Sequence, residues 1–197
     1  MRSIALAISL TLSGAAVAAA QTAPSAPAPF GGDAALTYRW ERSNTQPTDC
    51  GCFDLNGGAI SASIHLSPRW SAVAEVSGES ANDGPGTGSS LTLVSYLAGA
   101  RYRLPQPWTR SSHALVPFAQ VLTGASHAGG GIAGAGDGSF AFEGRIGGGI
   151  DLPLKSGFAL RLLEADYDAT TFANGANDHQ NNLLLGAGVV FRWARKQ

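Results

Sequence analysis

Long apolar runs and charged residues are both scarce in this sequence of 197 residues. Beyond the first twenty residues, no apolar stretch approaches the roughly 20 residues that a membrane-spanning helix needs. Charged residues make up 14% of the chain, well below the roughly 25% of a typical soluble domain. The formal net charge of −1 argues against nucleic-acid binding, which requires a basic face. If such a chain enters a membrane, it does so as a closed barrel of strands.

Cysteine is also nearly absent, with only Cys50 and Cys52 in the sequence. Two thiols fall short of the four ligands of a structural zinc site, so we predict no metal there. Export places the pair in an oxidising compartment. The remaining interpretations are a disulfide at a loop tip and a pair of surface thiols.

The N-terminus has the pattern of a secretory signal. Arg2 precedes an apolar run from Ile4 to Leu12, and small residues follow as far as Ala20. A charged start, an apolar middle and small residues at the end are typical of a cleavable signal peptide. We therefore expect cleavage after Ala20, which makes residues 1–20 the signal peptide. Residues 21–32, rich in Ala and Pro, are predicted to be an extended periplasmic leader. Residues 33–193 form the predicted folded domain, and residues 194–197 form a short tail.

Eight segments of the domain alternate apolar and polar residues with a period of two, which is typical of strands with two different faces. They cover about residues 34–42, 58–66, 70–78, 91–104, 114–125, 139–152, 158–169 and 181–193. The seventh segment breaks the rule, because Arg161 and the acidic residues Glu164, Asp166 and Asp168 have opposite parities. Either a β-bulge shifts the register between them, or one group lies at the membrane rim.

The connections between these segments indicate where the barrel lies. Four long polar connections, about 43–57, 79–90, 126–138 and 170–180, alternate with shorter ones at 67–68, 105–112 and 153–157. Short periplasmic turns and long external loops are typical of outer-membrane barrels. The sequence therefore predicts an all-β fold, an eight-stranded antiparallel up-and-down transmembrane β-barrel. A soluble barrel of the lipocalin type remains the alternative, because the period alone cannot assign inside from outside.

The two faces of the strands predict two sets of residues. Aromatic residues near the ends of the apolar faces are expected to form interfacial girdles, namely Tyr38, Trp40, Trp70, Tyr102, Phe191 and Trp193. The polar faces are expected to fill the lumen, because an eight-stranded barrel has room only for side chains and buried charges need partners. The predicted network consists of Arg39, Glu41, His65, Glu75, Arg101, Gln120, Glu143, Arg145, Asp151 and Arg192. Such a filled lumen predicts a plug rather than a general pore.

Three runs of sequence, LAGARYRLP, PFAQVLTGASH and LLLGAGVVFRW, resemble a known family. They are similar to the small eight-stranded outer-membrane barrels of the OmpA/OmpX-like group, with an outer membrane protein beta-barrel domain, over about 33–193. The last run resembles the signal read by the barrel-assembly machinery, with Gly188, Phe191 and Trp193 at matching positions. Many members end at the aromatic residue, whereas four residues follow it here. The resemblance implies an outer-membrane location, the assembly machinery as a partner, and contact with outer-membrane lipid and lipopolysaccharide. We expect a monomer that binds no nucleic acid.

An enzymatic alternative depends on His65, which shares a predicted lumen face with Ser61 and Ser63 and has Glu75 one strand away. These residue types could form a catalytic triad. A lipid substrate does not arrive through the lumen, however, and the lipid-facing His–Ser pair of the family's deacylases is absent here. The fourth external loop is rich in oxygen ligands but lacks a calcium-loop spacing. We therefore predict no catalytic residues, no metal and no cofactor.

The predicted function is a structural or surface-interaction role at the outer membrane. This role includes envelope integrity, adhesion or ligand contact through the external loops. Two alternatives stay open at this point. One is a lipid-active outer-membrane enzyme, such as a lipid A or phospholipid acyl hydrolase, and the other is a soluble periplasmic ligand-binding barrel.

Overall fold

The computed structural model describes residues 31–45, 51–82, 90–105, 115–130, 139–154, 157–172 and 179–193. Eight strands are present: β1 (Gly32–Thr45), β2 (Gly51–His65), β3 (Trp70–Ala81), β4 (Leu91–Arg103), β5 (Val116–Gly130), β6 (Ser139–Pro153), β7 (Phe158–Thr170) and β8 (Gln180–Trp193). No helix in these ranges is long and apolar enough to cross a membrane. The predicted signal peptide, most of the leader, the C-terminal tail, Cys50 and the side chain of Cys52 lie outside the described residues.

Each strand pairs antiparallel with the next, and β8 pairs with β1 to close the barrel. This topology confirms the predicted fold. Asp33 on β1 lies opposite Ser63 on β2, and following the paired residues around the barrel leads to Asn182 on β8. The amide oxygen of Asn182 accepts a hydrogen bond from Ser43, which lies much further along β1. The register therefore climbs steeply in one circuit, as the tilted strands of a closed barrel require.

The two ends of the barrel are named here by the chain. The near end is the one at which β1 begins and β8 ends, and the far end is opposite. Burial alternates strictly along β3, and the exposed residues form an apolar wall, with Leu36 58% and Ile60 64% exposed. Charged residues such as Arg39 and Glu143 are buried inside. An apolar exterior around a polar interior is the arrangement of a barrel that faces lipid.

The strands extend further at the far end than predicted. β2 begins at Gly51, where the sequence predicted a loop, and its first residues stay paired with β1. The far-end connections are 46–50, 82–90, 131–138 and 171–179, and the near-end ones are 66–69, 104–115 and 154–157. The longest connection is therefore at the near end, and the predicted alternation of long and short connections is wrong. The wrong prediction has a physical cause. Where paired strands extend beyond the apolar wall, their outer faces are polar as well as their inner faces, as the exposed ion pair Arg42–Asp54 shows. These strand ends therefore resemble loops in the sequence.

A β-bulge in β7 resolves the parity conflict of the seventh segment. The register to β8 shifts between Arg161 and Glu164, and the register to β6 shifts at Ile150/Asp151. Leu162 and Leu163 both lie on the outer wall, which lets Arg161 and Glu164 both point inward. The bulge interpretation is thereby confirmed.

Aromatic side chains collect on the outer wall at the near end. Trp70 packs on Tyr102 with ring centroids 4.8 Å apart, and Phe191 packs on Phe158 at 5.4 Å and on Trp193 at 6.2 Å. Tyr38 and Trp40 lie further along β1. The hydroxyl of Tyr38 donates a hydrogen bond of 2.6 Å to Asn56, so this ring combines an apolar body with a polar tip, as interfacial tyrosines do.

Candidate functional site in the barrel lumen

Arg39 occupies the centre of the lumen and is fully buried. Its two terminal nitrogens donate to the two carboxylate oxygens of Glu75, each at 2.7 Å. One of them also donates to Glu164 at 3.1 Å. A two-point arginine–carboxylate contact is among the stronger hydrogen-bonded pairs. Arg39 therefore ties β1 to β3 and β7 across the interior.

Arg145 forms the second crossing, displaced toward the far end. It donates to Glu75 at 2.7 Å, to Glu143 at 2.6 Å and to Asp168 at 3.3 Å. Ser126 donates to the other oxygen of Glu143. One guanidinium thus holds three carboxylates from β3, β6 and β7, and its removal would leave all three without this cation.

Gln120 connects the centre of the lumen to the near end. Its amide nitrogen donates to Glu164 at 2.8 Å and to Asp166 at 3.2 Å. Its amide oxygen accepts from two nitrogens of Arg101, at 3.0 and 3.2 Å. Both the amide nitrogen and the amide oxygen of Gln120 therefore have hydrogen-bond partners, as a buried polar side chain requires.

At the near end, arginines surround two aspartates. Asp33 accepts from Arg103 at 2.9 Å and from Arg101 at 3.4 Å. Asp151 accepts from Arg161 at 3.0 Å and from Arg192 at 3.2 Å.

The aromatic ring of Phe118 packs against two of these arginines. The guanidinium carbons of Arg101 and Arg161 lie 4.7 and 4.6 Å from the centre of its ring, within the range of cation–π attraction. Gly149 makes room for the ring, because a Cβ at this position would lie 2.7 Å from Cζ of Phe118.

His65 is held by Arg103 rather than by a serine. Nη2 of Arg103 lies 2.6 Å from Nε2 of His65. Arginine can only donate, so Nε2 accepts and the imidazole is neutral with its proton on Nδ1. The approach of Asp33 at 3.2 Å is therefore not a bond donated by Nε2. Since Glu75 is bound to Arg39 and Arg145, the structure does not assemble the triad that the sequence raised as an alternative.

The far half of the lumen contains acids beneath an apolar layer. Asn182 donates to Glu41 at 2.7 Å, and Ser77 donates to Glu79 at 3.1 Å. One oxygen each of Glu41, Glu79 and Asp168 has no hydrogen-bond partner among the described residues. Above these acids lies a cluster here called the far plug, made of Leu55, Ala81, Leu91, Leu93, Ala128, Ala141 and Phe172, with Phe53 against it. No group of His, Asp or Glu within the described ranges has the arrangement of a metal site.

The structure places all ten residues of the predicted network on the inner face, with His65 and Arg192 partly exposed. The sequence interpretation omitted further members of this network, namely Asp33, Glu79, Arg103, Arg161, Glu164, Asp166 and Asp168. Placing Glu79 in an external connection is wrong, because Glu79 is buried in β3; Asp166 and Asp168 are buried in β7. The parity of Arg103, which matches that of Arg101, was a usable signal. No signal in the sequence indicated the far plug, because inward leucines such as Leu93 break the polar pattern of the inner face.

Comparison with known proteins now decides the family. The model of the outer membrane protein beta-barrel domain matches residues 5–191. The chain belongs to this family. Membership makes the protein an eight-stranded outer-membrane barrel and so excludes the soluble-barrel alternative.

Solved structures of this family's fold are distant in sequence. Neisserial surface protein A matches with a TM-score of 0.59 and 14% identity, over 82% of this chain and 97% of that chain. Ail, the attachment invasion locus protein of Yersinia pestis, matches with a TM-score of 0.53 and 13% identity, over 83% of this chain and 99% of that chain. A second Ail structure, in complex with the heparin analogue sucrose octasulfate, matches with a TM-score of 0.50 and 12% identity, over 83% and 99%. No curated protein sequence matches the chain.

Proposed function

We propose that the protein is a non-conducting barrel with a structural or surface-interaction role in the outer membrane. The role includes envelope integrity, adhesion or ligand contact through the far-end connections. The observation that carries this proposal is the buried charge network across the middle of the lumen. Arg39 and Arg145 both bind Glu75, so side chains from β1, β3 and β6 meet at one carboxylate inside the barrel.

An ion passing through this lumen would have to displace several charge-assisted hydrogen bonds at once. Arg39, Glu143, Glu164 and Asp168 are each 0% exposed. The far plug closes the next level with apolar side chains, where an ion would find no ligand. A barrel of eight strands is also just wide enough for its own side chains. Both the contents and the width of the lumen therefore favour a plug.

The charged residues of the far end indicate which kind of ligand a surface role would involve. In the orientation that the family resemblance implies, this end faces outward. Its four connections contain Asp49, Asp83, Asp137 and Asp178 and no Lys or Arg, and the exposed Arg42 is paired with Asp54. Ail has been crystallised with a polyanionic heparin analogue. An acidic far end opposes such a ligand here, so a neutral or cationic partner is the better expectation.

Conductance across a planar lipid bilayer tests the proposal. The folded wild-type protein is expected to insert without stepwise ion currents. The matched control is Arg39→Ala combined with Arg145→Ala, which removes both central crossings from the same barrel and is expected to leak more than the wild type. Stable, reproducible single-channel steps from the wild-type protein would refute the non-conducting role.

A further inference from the structure

Charges are sorted along the barrel axis. The near-end level of the lumen contains four arginines, Arg101, Arg103, Arg161 and Arg192, around the two aspartates Asp33 and Asp151. Further along, among the described residues, Arg145 is the one arginine that binds Glu143 and Asp168, and the hydrogen bonds to Glu41 and Glu79 come from the neutral Asn182 and Ser77. The lumen therefore has its excess of arginines toward the near end and its excess of carboxyl groups toward the far end.

The connections repeat this sorting in their sequences. The three near-end connections contain Arg69, Arg110 and Lys155 and no Asp or Glu, whereas each far-end connection contains one Asp and no Lys or Arg. The surface and the interior of the near end thus have the same sign. Because equal signs add, the near end has a positive field that would attract anions from solution.

The two outermost arginines of the near end reach solvent. The side chains of Arg103 and Arg192 are 25% and 24% exposed, and that of His65 is 21% exposed. Arg192 lies opposite Asp33 in the β1–β8 pair, and Asp33 accepts from Arg103 and lies 3.2 Å from His65, so the three residues surround Asp33 at the near end of the lumen. This group is called the near mouth below.

Each arginine of the near mouth has donors without a partner among the described residues. Arg192 donates a hydrogen bond from Nη2 to Asp151, and its buried Nε has no partner among the described residues. Arg103 makes its contacts to Asp33 and His65 through the single nitrogen Nη2. The planar guanidinium fork suits the oxygens of a phosphate.

The charge of this level leaves room for an anion. Four arginines face Asp33 and Asp151, and His65 is neutral by its contact with Arg103. Adding Glu164, which Arg161 and Arg39 share, still leaves the arginines in excess. A partly buried cation without a full set of counter-charges is stabilised by a bound anion.

We propose that the near mouth, formed by Arg103, Arg192 and His65, binds a phosphate group. The phosphate belongs either to a free inorganic ion or to the headgroup of an anionic phospholipid in the adjacent leaflet. Both sources offer the same oxygens to the two guanidinium groups. This site is distinct from the proposed surface role, which concerns the opposite end of the barrel.

The first test measures the unfolding midpoint of the detergent-solubilised barrel while inorganic phosphate is titrated at constant ionic strength. A ligand that binds only the folded state raises its stability with a saturable concentration dependence. Phosphate is expected to raise the midpoint in this way, and chloride at equal ionic strength is not. Arg103→Gln and Arg192→Gln should each weaken the apparent affinity by about tenfold, as expected for losing a charged hydrogen bond.

Arg42→Gln is the matched control, because it removes an exposed arginine from the far end and should keep the full phosphate response. If Arg103→Gln does not fold, Arg192→Gln and Arg103→Lys still test the site, and the lysine should restore part of the affinity. The proposal is overturned if the midpoint follows ionic strength alone, does not saturate with phosphate, or responds equally in all variants.

A second arm separates the two sources. Micelles of uncharged maltoside detergent are doped with phosphatidylglycerol, and the phosphate titration is repeated. If the lipid headgroup occupies the near mouth, the doped micelles raise the midpoint by themselves and abolish the response to added phosphate, and Arg192→Gln loses both effects. If the response to free phosphate is unchanged, the site takes the free ion.

Discussion

The two ends of the lumen solve the problem of buried charge in different ways. At the near end, Arg103 and Arg192 are partly exposed, so water shares the task of solvating them. At the far end, Glu41, Glu143 and Asp168 are almost completely buried, beneath the far plug. The lumen of this closed barrel is therefore open to water at the near end, here called the wet end, and excludes water at the far end, here called the dry end. Contacts of equal length should be worth more at the dry end, where the effective dielectric constant is lower.

The largest expected effect comes from Arg145→Met. The substitution keeps much of the side-chain volume but leaves Glu75, Glu143 and Asp168 without a cation they share in the folded state. Breaking a buried ion pair by removing one partner costs about 3–5 kcal/mol. Urea unfolding in lipid vesicles, followed by the mobility difference between folded and unfolded protein on a gel, would measure it.

Arg42→Met provides the control for this substitution. The Arg42–Asp54 pair is equally short at 2.7 Å, but its side chains are 44% and 41% exposed. Exposed pairs contribute about 0–1 kcal/mol. Equal losses of stability in the two variants would contradict the view that the interior is dry.

Leu55→Ala tests the far plug itself. Leu55 is 1% exposed within this cluster, and truncating a buried leucine costs about 2–5 kcal/mol, with the cavity included. Leu36→Ala on the outer wall removes the same atoms, but lipid chains can fill the space, so its effect should be smaller. The free energy of unfolding of both variants checks this difference, and a larger loss for Leu36→Ala would reverse the assignment of inside and outside.

Gly99→Ala addresses how closely neighbouring strands approach. A Cβ at Gly99 would collide with the carbonyl oxygen of Val121 and lie 2.8 Å from Cα of Leu122. Because backbone atoms yield reluctantly, we expect a loss of about 1–3 kcal/mol, as for other overpacked sites. Gly78→Ala, on the adjacent strand, meets nothing within 4 Å and should unfold at nearly the wild-type urea concentration. Indistinguishable midpoints would show that the β4–β5 spacing adapts at no cost.

Apart from the control variants, the smallest effect is expected for Arg192→Gln. Asp151 loses its contact with Arg192 at 3.2 Å but keeps Arg161 at 3.0 Å, and water reaches the vacated position. The loss should be about 1 kcal/mol or less, as for other partly exposed pairs. A loss as large as that of Arg145→Met would mean that the near end is as dry as the far end.

Strand number and the division of residues between two faces could be predicted because they follow from a period of two, whereas closure was predicted from the need of a membrane barrel to leave no open edge. Parity places Arg39, Glu75, Arg101 and Arg145 on the polar faces of their strands, and in a barrel that faces lipid these faces meet in one lumen, where buried charges must meet opposite charges. The conflict in the seventh segment left a bulge and a position at the membrane rim as interpretations, and the register shift between Arg161 and Glu164 decides for the bulge.

The loops and the plug could not be predicted, for two physical reasons. Above the apolar wall a strand meets water on its outer face and polar groups on its inner face, so Asp54 and Asn56 look like loop residues although they lie in β2. Inward leucines such as Leu93 and Leu97 fill space rather than pair with charges, and their apolar character is the same as that of outward ones. Which partner each charge chooses also depends on the stagger of the strands, which sequence parity does not contain.

The central claim is that the apolar stripe of each strand touches hydrocarbon while the inner leucines do not. Nuclear Overhauser contacts between lipid acyl chains and the methyl groups of the protein in lipid nanodiscs measure this directly. The account predicts acyl-chain contacts for Leu36, Ile60 and Ile64 and none for Leu55, Leu97, Leu122 and Leu184. Acyl-chain contacts at these four inner leucines, with silence at the three outer residues, would contradict it.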